Sequence, residues 1–262
     1  MAASDVRITR PAGRVSWRAV AGVETAGEAH AMLRPDRRWF IWVGAWTAAA
    51  SSSLIAAVAD DLGQDLYTTI DELDEAGLRD WEAAGFTVHR REHNCRVPTD
   101  LGGTRPSGSL LPAGMSLISA DAVDEDGLRQ LDDALRQDVP GADGWVNDPQ
   151  EFREYTFNER YFDPATCLVA IDDVNQAYAG LARVWNIPGR PRLGLIGVTA
   201  AYRRRGLATV LLAAVFAPLR DRGISEVAAE VDATNTPSNA LLRGIGAQRT
   251  GGSIELVRRT GH

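Results

Sequence analysis

One pattern of acidic, amide and glycine residues occurs twice in the chain and constrains its fold more than any other sequence feature. The matched pairs, each 161 residues apart, are Asp71 and Asp232, Asp74 and Asn235, and Gly85 and Gly246. Each copy follows a strand-like run, Leu66 to Ile70 in the first half and Val227 to Val231 in the second. Each strand-like run is itself preceded by an apolar helix-like run that ends in glycine. A repeat of this length predicts two duplicated domains rather than a solenoid. Chance similarity between short strand–turn–helix units is the alternative.

A stretch between the two copies is predicted to be a linker. From Val97 to Gly114 the sequence is dense in proline, glycine, serine and threonine and has no sustained periodicity. The chain is therefore divided into residues 1–105 and residues 110–262.

Charge and the distribution of apolar residues exclude several classes of protein. The net charge of −7 argues against a nucleic-acid partner, because phosphate contacts need a basic face. All 28 basic residues are arginine, so no lysine acts in catalysis. The longest apolar run, Trp39 to Ala50, is too short to cross a bilayer, and the N-terminus lacks the layout of a signal peptide. A soluble cytoplasmic protein without a membrane partner is predicted.

The two cysteines give no sign of a disulfide or a metal site. Cys95 and Cys167 lie in different halves and have neither a CxxC partner nor a cysteine–histidine ligand spacing. Two buried free thiols and no bound metal are predicted.

The second half alternates between strand-like and helix-like segments, which predicts a mixed α/β sheet protein. The predicted strands are Met115 to Ala120, Cys167 to Ile171, Ala177 to Trp185, Leu193 to Val198 and Val227 to Val231. The predicted helices are Asp124 to Gln137, Pro149 towards Tyr161, and Leu207 up to Gly223. Pro218 within the last of these predicts a bend or an early end.

The segment from Val198 to Ala208 joins a strand to a helix N-terminus and has the features of an anion site. Unpaired backbone N–H groups and the helix dipole favour an anion there. Gly206 permits a close backbone approach, and the neighbouring arginines add positive charge. These features are what a pyrophosphate requires, although the segment contains neither of the common nucleotide-binding glycine patterns. An arginine-rich surface turn is the alternative.

This segment resembles the acetyl-CoA signature of the GNAT superfamily, [QR]-x-x-G-x-[GA], matched by Arg203, Gly206 and Ala208. The superfamily's downstream segment, which contains an asparagine and ends in a helix and a glycine, is matched from Asn235 to Gly246. The resemblance covers about residues 115–262. It implies a GNAT fold in the C-terminal half, with acetyl-CoA as a co-substrate.

The resemblance also implies a set of coenzyme-binding residues. Strand backbone would bind the pantetheine arm, loop N–H groups the pyrophosphate, and a downstream asparagine the coenzyme. The implied residues are Ile196, Gly197, Val198, Arg203, Arg204, Arg205, Gly206, Leu207, Ala208 and Asn235. Asn235 also suits a helix cap, and the two roles are compatible.

Acyl transfer to an amine needs a base, a polarised carbonyl and a proton for the departing thiolate. Glu230 is the candidate base, because it alternates away from the apolar residues of its strand and occupies the position of a glutamate base in ribosomal-protein alanine acetyltransferases, which this segment resembles. A solvated or salt-bridged strand residue is the alternative. Many GNAT enzymes have a tyrosine acid seven residues after the asparagine, where this chain has Leu242. Ser238 or a water molecule is the candidate replacement, and departure of the thiolate without an acid is the alternative. Ser238 equally suits a first-turn helix residue with no catalytic role.

The N-terminal copy lacks the segment that would bind a coenzyme. Thr47 and Gly63 enclose 15 residues, where Thr199 and Gly223 enclose 23. The missing length is where the arginine-flanked glycine would lie. A truncated, degenerate GNAT-like domain is therefore predicted for residues 1–105, packing on the C-terminal domain and helping to wall the acceptor cleft.

Three functions remain open from the sequence: an N-acetyltransferase, an acyl-CoA-binding regulatory module without turnover, and a scaffold whose arginine loop binds another anion. The first is favoured, with an amine-bearing small molecule or peptide as acceptor and a homodimer as an allowed assembly. The resemblance places the acceptor pocket at Val139 to Glu154. This segment and its flank contain acidic and aromatic residues suited to a cationic amine: Asp143, Trp145, Asp148, Glu151 and Tyr155.

Overall fold

The computed structural model describes residues 6–10, 13, 15–45, 47–101 and 111–260. The strands are β1 (Val6–Thr9), β2 (Ser16–Ala21), β3 (Glu24–Leu33), β4 (Trp39–Ala45), β5 (Leu66–Asp71), β6 (Thr87–Pro98), β7 (Met115–Ser119), β8 (Cys167–Asp172), β9 (Tyr178–Trp185), β10 (Arg192–Val198), β11 (Glu226–Asp232) and β12 (Gln248–Arg258). The helices are α1 (Ala48–Leu62), α2 (Glu75–Ala83), α3 (Glu125–Arg136), α4 (Pro149–Thr156), α5 (Leu207–Asp221) and α6 (Thr236–Gly244). Within these ranges, no helix is long and apolar enough to cross a membrane. The predicted mixed α/β class is confirmed.

The chain forms two compact units whose boundaries fall inside strands. Unit 1 contains the residues up to Arg91 and those from Gly252 onwards, and unit 2 contains Glu92 to Gly251. Because β6 and β12 each cross a boundary, each of these strands contributes residues to both units.

In unit 2 the strand order is β6-β11-β10-β9-β8-β7. Only β10 and β11 are parallel, and the other neighbours are antiparallel. Residues 92–98 of β6 pair with β11 along its whole length, from Asp232 opposite Glu92 to Glu226 opposite Pro98. A strand that precedes the predicted linker therefore completes this sheet.

Helices cover both faces of the unit 2 sheet. On one face, Leu128, Leu131 and Leu135 of α3 and Phe152 of α4 pack on β8, β9 and β10. On the other face, α5 and α6 pack on alternate residues of β11: Val227, Ala229 and Val231. Since successive strand residues point to opposite faces, Glu230 lies on the face of α3 and α4.

In unit 1 the strand order is β1-β2-β3-β4-β5-β12, and only β4 and β5 are parallel. Residues from α1, including Leu54, Ile55 and Val58, pack on the sheet together with Leu78 and Trp81 of α2. The antiparallel partner of β5 comes from the far end of the described chain, with Ser253 opposite Asp71 and Arg258 opposite Leu66.

Unit 1 repeats the element order of unit 2 in shortened form. Its β4-α1-β5-α2-β6 matches β10-α5-β11-α6-β12, as the repeated sequence pattern predicts. Between β1 and β2 there are only residues 10–15, whereas α3 and α4 lie between β7 and β8. Residues 199–206 separate β10 from α5, whereas only residues 46 and 47 separate β4 from α1. The short copy thus has no room for a coenzyme loop between β4 and α1.

Several predicted boundaries differ from the structure. The predicted division between residues 105 and 110 lies outside the described residues and stays a prediction; the compact units have their boundaries at residues 91–92 and 251–252. The predicted linker begins too early. Its first residue, Val97, still lies within β6, and Leu101 is buried in the core of unit 2. Helix α4 ends at Thr156, well before Tyr161. Helix α5 continues past Pro218 to Asp221, so the predicted early end is wrong; proline removes one hydrogen bond there without ending the helix.

Of the two thiols predicted to be buried, only one is fully so. Cys167 is buried and Cys95 is partly exposed; both are free. Burial raises the pKa of Cys167 to about 11, so this thiol is protonated at neutral pH.

Candidate active site

The described residues of the parallel strands β10 and β11 pair only at the beginning of β10 and the middle of β11. Two register pairs join them, Arg192 with Ala228 and Leu193 with Ala229. The register of β10 with β9 shifts between Leu193 and Leu195, which marks a β-bulge at Gly194. Beyond the bulge no described residue of β11 pairs with β10. Backbone groups on that edge of Ile196 to Val198 are therefore open to an extended ligand.

The loop after β10 leads into a helix N-terminus that no side chain caps. Gly206 occupies the N-cap position of α5 with φ +77°, and no acidic residue lies in the first turn of the helix. A Cβ at Gly206 would meet no described atom within 4 Å, so the left-handed backbone and not protein packing requires glycine. The exposed N–H groups and the helix dipole make this end of α5 an anion site.

The three consecutive arginines of this loop have different surroundings. Arg203 donates from Nε to the Val198 carbonyl at 2.9 Å and forms an ion pair with Asp138. Arg205 donates to the Ala201 carbonyl at 3.1 Å, and its guanidinium lies 5.4 Å from the ring centroid of Tyr202. Arg204 has φ +63° and makes no hydrogen bond or ion pair with a described residue. Arg204 is thus the member of the three whose charge is available to a ligand.

A cavity of about 750 Å³ brings most of the predicted coenzyme residues together. Its lining includes Ile196, Gly197, Val198, Arg203, Arg204, Gly206, Leu207, Ala208, Asn235 and Ser238. Arg205 and Glu230 do not line it. Val139, predicted for the acceptor pocket, lines the cavity as well. Sequence reasoning missed other lining residues: Leu135, Asp138, Tyr202, Thr209, Pro237 and Leu241.

The shape and chemistry of the cavity fit an acyl-coenzyme A. Its volume lies in the range of about 300–1,000 Å³ usual for cofactor sites. The uncapped N-terminus of α5 and the available guanidinium of Arg204 suit a pyrophosphate. The open edge of β10 and the apolar side chains of the lining suit a pantetheine arm. Leu135 of α3 lines the cavity and packs on the sheet face to which Glu230 points, and Asp138, three residues later, pairs with Arg203 of the loop. The coenzyme contacts of individual residues stay predictions.

The residues predicted near a departing thiolate lie on helix α6 or at its N-cap. Asn235 is the N-cap of α6, and its Oδ1 accepts from the Ser238 N–H at 3.1 Å while the residue also lines the cavity. Both predicted roles of Asn235 are therefore compatible with its position. Leu242 is buried and faces a second cavity of about 360 Å³, which His93 and Asn239 also line.

Glu230 is engaged in an ion pair. Its Oε2 lies 2.6 Å from Nη2 of Arg192, the residue at which β10 and β11 meet. Further along the same face, Asp232 is buried and accepts hydrogen bonds from the backbone N–H and hydroxyl of Thr234. The salt-bridged alternative thus describes Glu230 in the free protein. A role as base requires the acceptor to reach the carboxylate beside Arg192.

The predicted acceptor segment between α3 and α4 is fixed at both ends. Asn147 donates its backbone N–H to Asp133 at 2.8 Å and its amide to Asp133 and Asp132 at 2.6 and 3.2 Å. Asp132 is buried and also bonded to Arg183 at 2.8 Å. Burial raises the pKa of Asp132, but its arginine and asparagine partners outweigh this and hold the pKa below its ordinary value. At the other end, Asp138 is paired with Arg203.

Two residues of this segment that were predicted to contact a cationic acceptor contact other groups of the protein. Asp148 caps α4 by accepting from the N–H groups of Gln150 and Glu151. The ring centroid of Trp145 lies 5.5 Å from the guanidinium of Arg136, and Tyr155 is exposed. Their contact with an acceptor stays a prediction.

Comparison with known proteins agrees with this geometry. Residues 129–247 match the acetyltransferase (GNAT) family. The mycothiol acetyltransferase of Clavibacter sepedonicus is 32% identical over 139 residues, which are 51% of this chain and 42% of that protein. The corresponding enzyme of Clavibacter michiganensis subsp. michiganensis is 32% identical over 147 residues, 54% of this chain and 44% of that protein. The match spans less than half the length of each relative.

Solved structures share the fold over nearly the whole chain. A GCN5-related N-acetyltransferase from Sphaerobacter thermophilus has a TM-score of 0.75 at 20% identity, covering 97% of this chain and 83% of that one. A tandem GNAT protein from the clavulanic acid biosynthesis pathway has a TM-score of 0.68 at 16% identity, covering 94% of this chain and 83% of that one. Taken with the cavity and its loop, the match makes residues 129–247 of this chain similar to the acetyltransferase (GNAT) family.

Proposed function

We propose that unit 2 transfers an acetyl group from acetyl-CoA to the amine of a small molecule or peptide. The observation that carries this proposal is the cavity, which joins an uncapped helix N-terminus and an available arginine to an open strand edge. The coenzyme supplies an activated thioester. The curated relatives are named mycothiol acetyltransferases, so compounds of the mycothiol class that have a free amine are the first to test.

The residues of this chain have separate tasks in such a transfer. N–H groups at the start of α5 and the Arg204 guanidinium hold the pyrophosphate. The open edge of β10 aligns the pantetheine arm, so that the reacting carbonyl lies beside the gap between β10 and β11, towards Glu230. Glu230 accepts the proton of the attacking amine, and Arg192 holds its carboxylate in place through the 2.6 Å ion pair.

The departing thiolate has no tyrosine beside it. Ser238 lines the cavity one turn before Leu242 on α6, and its hydroxyl is the nearest side-chain replacement on that helix. A thiolate is a good enough leaving group for turnover to continue with a weak acid or with water.

A regulatory module that binds acyl-CoA without turnover is the second candidate. The ion-paired Glu230 and the apolar Leu242 favour it, because both remove a group expected in an active enzyme. Mixing the protein with acetyl-CoA and a panel of amines separates the two. Steady thiol release supports the enzyme, whereas tight binding without release supports the module.

The arginines of the loop provide a matched test of the coenzyme site. We expect Arg204→Ala to weaken acetyl-CoA binding about tenfold, the loss of one partly exposed charge-assisted hydrogen bond. Arg205→Ala removes the same charge one residue away, but its guanidinium is directed to Ala201 and Tyr202, so affinity should change less than about twofold. Calorimetry should also give one site per chain. Equal losses in the two variants would show that only the net charge of the loop matters.

The glycine at the start of α5 has a matched partner at the other end of the helix. Gly206 and Gly223 have φ of +77° and +76°, and a Cβ on either would meet no described atom within 4 Å. Valine at either position therefore costs similar backbone strain, about 1–2 kcal/mol. We expect both variants to melt at lower temperature, but only Gly206→Val to lower acetyl-CoA affinity, by more than about tenfold. An unchanged dissociation constant for Gly206→Val would mean that the loop is misassigned.

A further inference from the structure

The sheet face that carries Glu230 continues onto β6. In the antiparallel pairing of β11 with β6, Asn94 is directly opposite Glu230, and Arg96 is opposite Ala228. Residues directly opposite each other point to the same face, with Cβ atoms about 4.5–5.5 Å apart. The candidate base therefore lies between the gap to β10 on one side and Asn94 on the other.

The side chain of Asn94 is available for binding. Its backbone carbonyl accepts from the Thr250 hydroxyl at 3.2 Å, which holds the main chain in place. Its amide makes no hydrogen bond with a described residue, although the side chain is partly buried. An amide offers one acceptor oxygen and two donor hydrogens. A rigidly placed, partly buried amide without a partner is well suited to a polar group of a ligand.

The position of the acceptor follows from the surroundings of Glu230. Leu135 lines the cavity and packs on the sheet face to which Glu230 points, and no described residues pair β10 with β11 beyond Leu193 and Ala229. An amine that attacks there must lie beside Glu230. Arg192 occupies the β10 side of that carboxylate, so the rest of the acceptor extends across β11 towards β6. Neighbouring strands are about 4.8 Å apart, which sets the distance between the reacting amine on β11 and an acceptor group bound on β6.

We infer that Asn94 is a positioning and specificity residue for the acceptor. This inference rests on the proposed function. It assigns the Asn94 amide to a carbonyl or hydroxyl group of the acceptor. That group lies within about 5 Å of the reacting amine, because this is the spacing of adjacent strands. Amines with an adjacent amide carbonyl or hydroxyl are the substrate class that fits. Plain alkylamines lack the group that Asn94 binds.

Two amines of nearly the same shape test this assignment in the full-length protein. Alaninamide and isopropylamine differ by a carboxamide in place of a methyl group, and their acetylation is followed by thiol release. We expect the native protein to prefer alaninamide, and Asn94→Ala to reduce that preference about five- to tenfold, the loss of one uncharged hydrogen bond. The acceptor KM should rise while kcat and the dissociation constant of acetyl-CoA stay unchanged.

Arg96→Ala is the control, since it alters the same strand and face but lies opposite Ala228. It should leave the ratio of the two amines unchanged, and both variants should melt within a few degrees of the native protein. An unaltered ratio in Asn94→Ala, or an equal change in Arg96→Ala, contradicts the inference while leaving the proposed function intact. Binding of acetyl-CoA without thiol release from any amine contradicts the proposed function itself.

Discussion

A chain that begins at Ser109 is expected to lose a large part of the stability of unit 2. It lacks residues 92–98 of β6, which pair with every residue of β11. It also lacks Val97 and Leu101, whose buried side chains each contribute about 1.5–3 kcal/mol. Since whole domains are stable by about 5–15 kcal/mol, this loss leaves little margin. The exposed edge of β11 adds a site for aggregation.

Polar contacts at the end of β6 increase the expected effect. The Thr99 hydroxyl donates to the Ile224 carbonyl at 2.9 Å, and Arg220 of α5 donates to the Thr99 carbonyl at 2.6 Å. In the shorter chain, the Ile224 carbonyl and the Arg220 guanidinium would lose these hydrogen bonds. A loss of about 4 kcal/mol corresponds to a fall of roughly 10 °C in melting temperature for a domain of this size. Thermal melting and the soluble yield measure the effect.

A chain that begins at Glu92 is the matched control, because it retains all of the β6 residues assigned to unit 2. It should be more stable and more soluble than the chain from Ser109, even though neither contains the rest of the N-terminal half. If the shorter chain melts at the same temperature as the full protein, β6 is dispensable. If both truncated chains are equally unstable, the requirement lies elsewhere in the N-terminal half.

Replacement of Glu230 by glutamine is expected to lower turnover about 10²- to 10⁴-fold, the usual contribution of general base catalysis. The side chain keeps its shape, so the dissociation constant of acetyl-CoA should hardly change. An effect confined to turnover identifies a group that acts in the transition state. Single-turnover kinetics with a matched amine, together with calorimetry, measure the two quantities.

Arg192→Gln separates a chemical role of Glu230 from a structural one. It breaks the same 2.6 Å ion pair but leaves the carboxylate in place. Turnover should stay within about tenfold of the native value, because a surface ion pair of this kind contributes only about 0–1 kcal/mol. Equal loss in both variants would mean that the ion pair supports the sheet and that another group or water is the base.

Local sequence patterns were sufficient to predict the elements around the coenzyme cavity. A strand, a glycine in a left-handed conformation and an apolar helix are adjacent in the chain, so their spacing fixes the loop from Val198 to Ala208. The cavity accordingly brings together ten predicted residues. The sequence did not distinguish Arg205 from Arg204, because which way each guanidinium turns depends on Tyr202 and on backbone dihedrals.

Pairings between distant segments were beyond the reach of local patterns. Nothing in residues 92–98 indicates that they pair with β11 rather than with a strand of their own half. Asn94 was therefore missed beside Glu230. The bonds from Asp132 to Arg183 and Asn147 were missed for the same reason, since they join α3, β9 and the segment before α4.

The contribution of β12 to both units determines the order in which the chain can finish folding. During synthesis, β6 precedes every strand that it joins in unit 2, so that unit has all its strands once Gly251 has left the ribosome. The partner of β5, residues 253–258, emerges only afterwards. Until then β5 lacks an antiparallel partner and presents an edge that invites wrong pairing. The unit that is synthesised first is thus the one that is completed last.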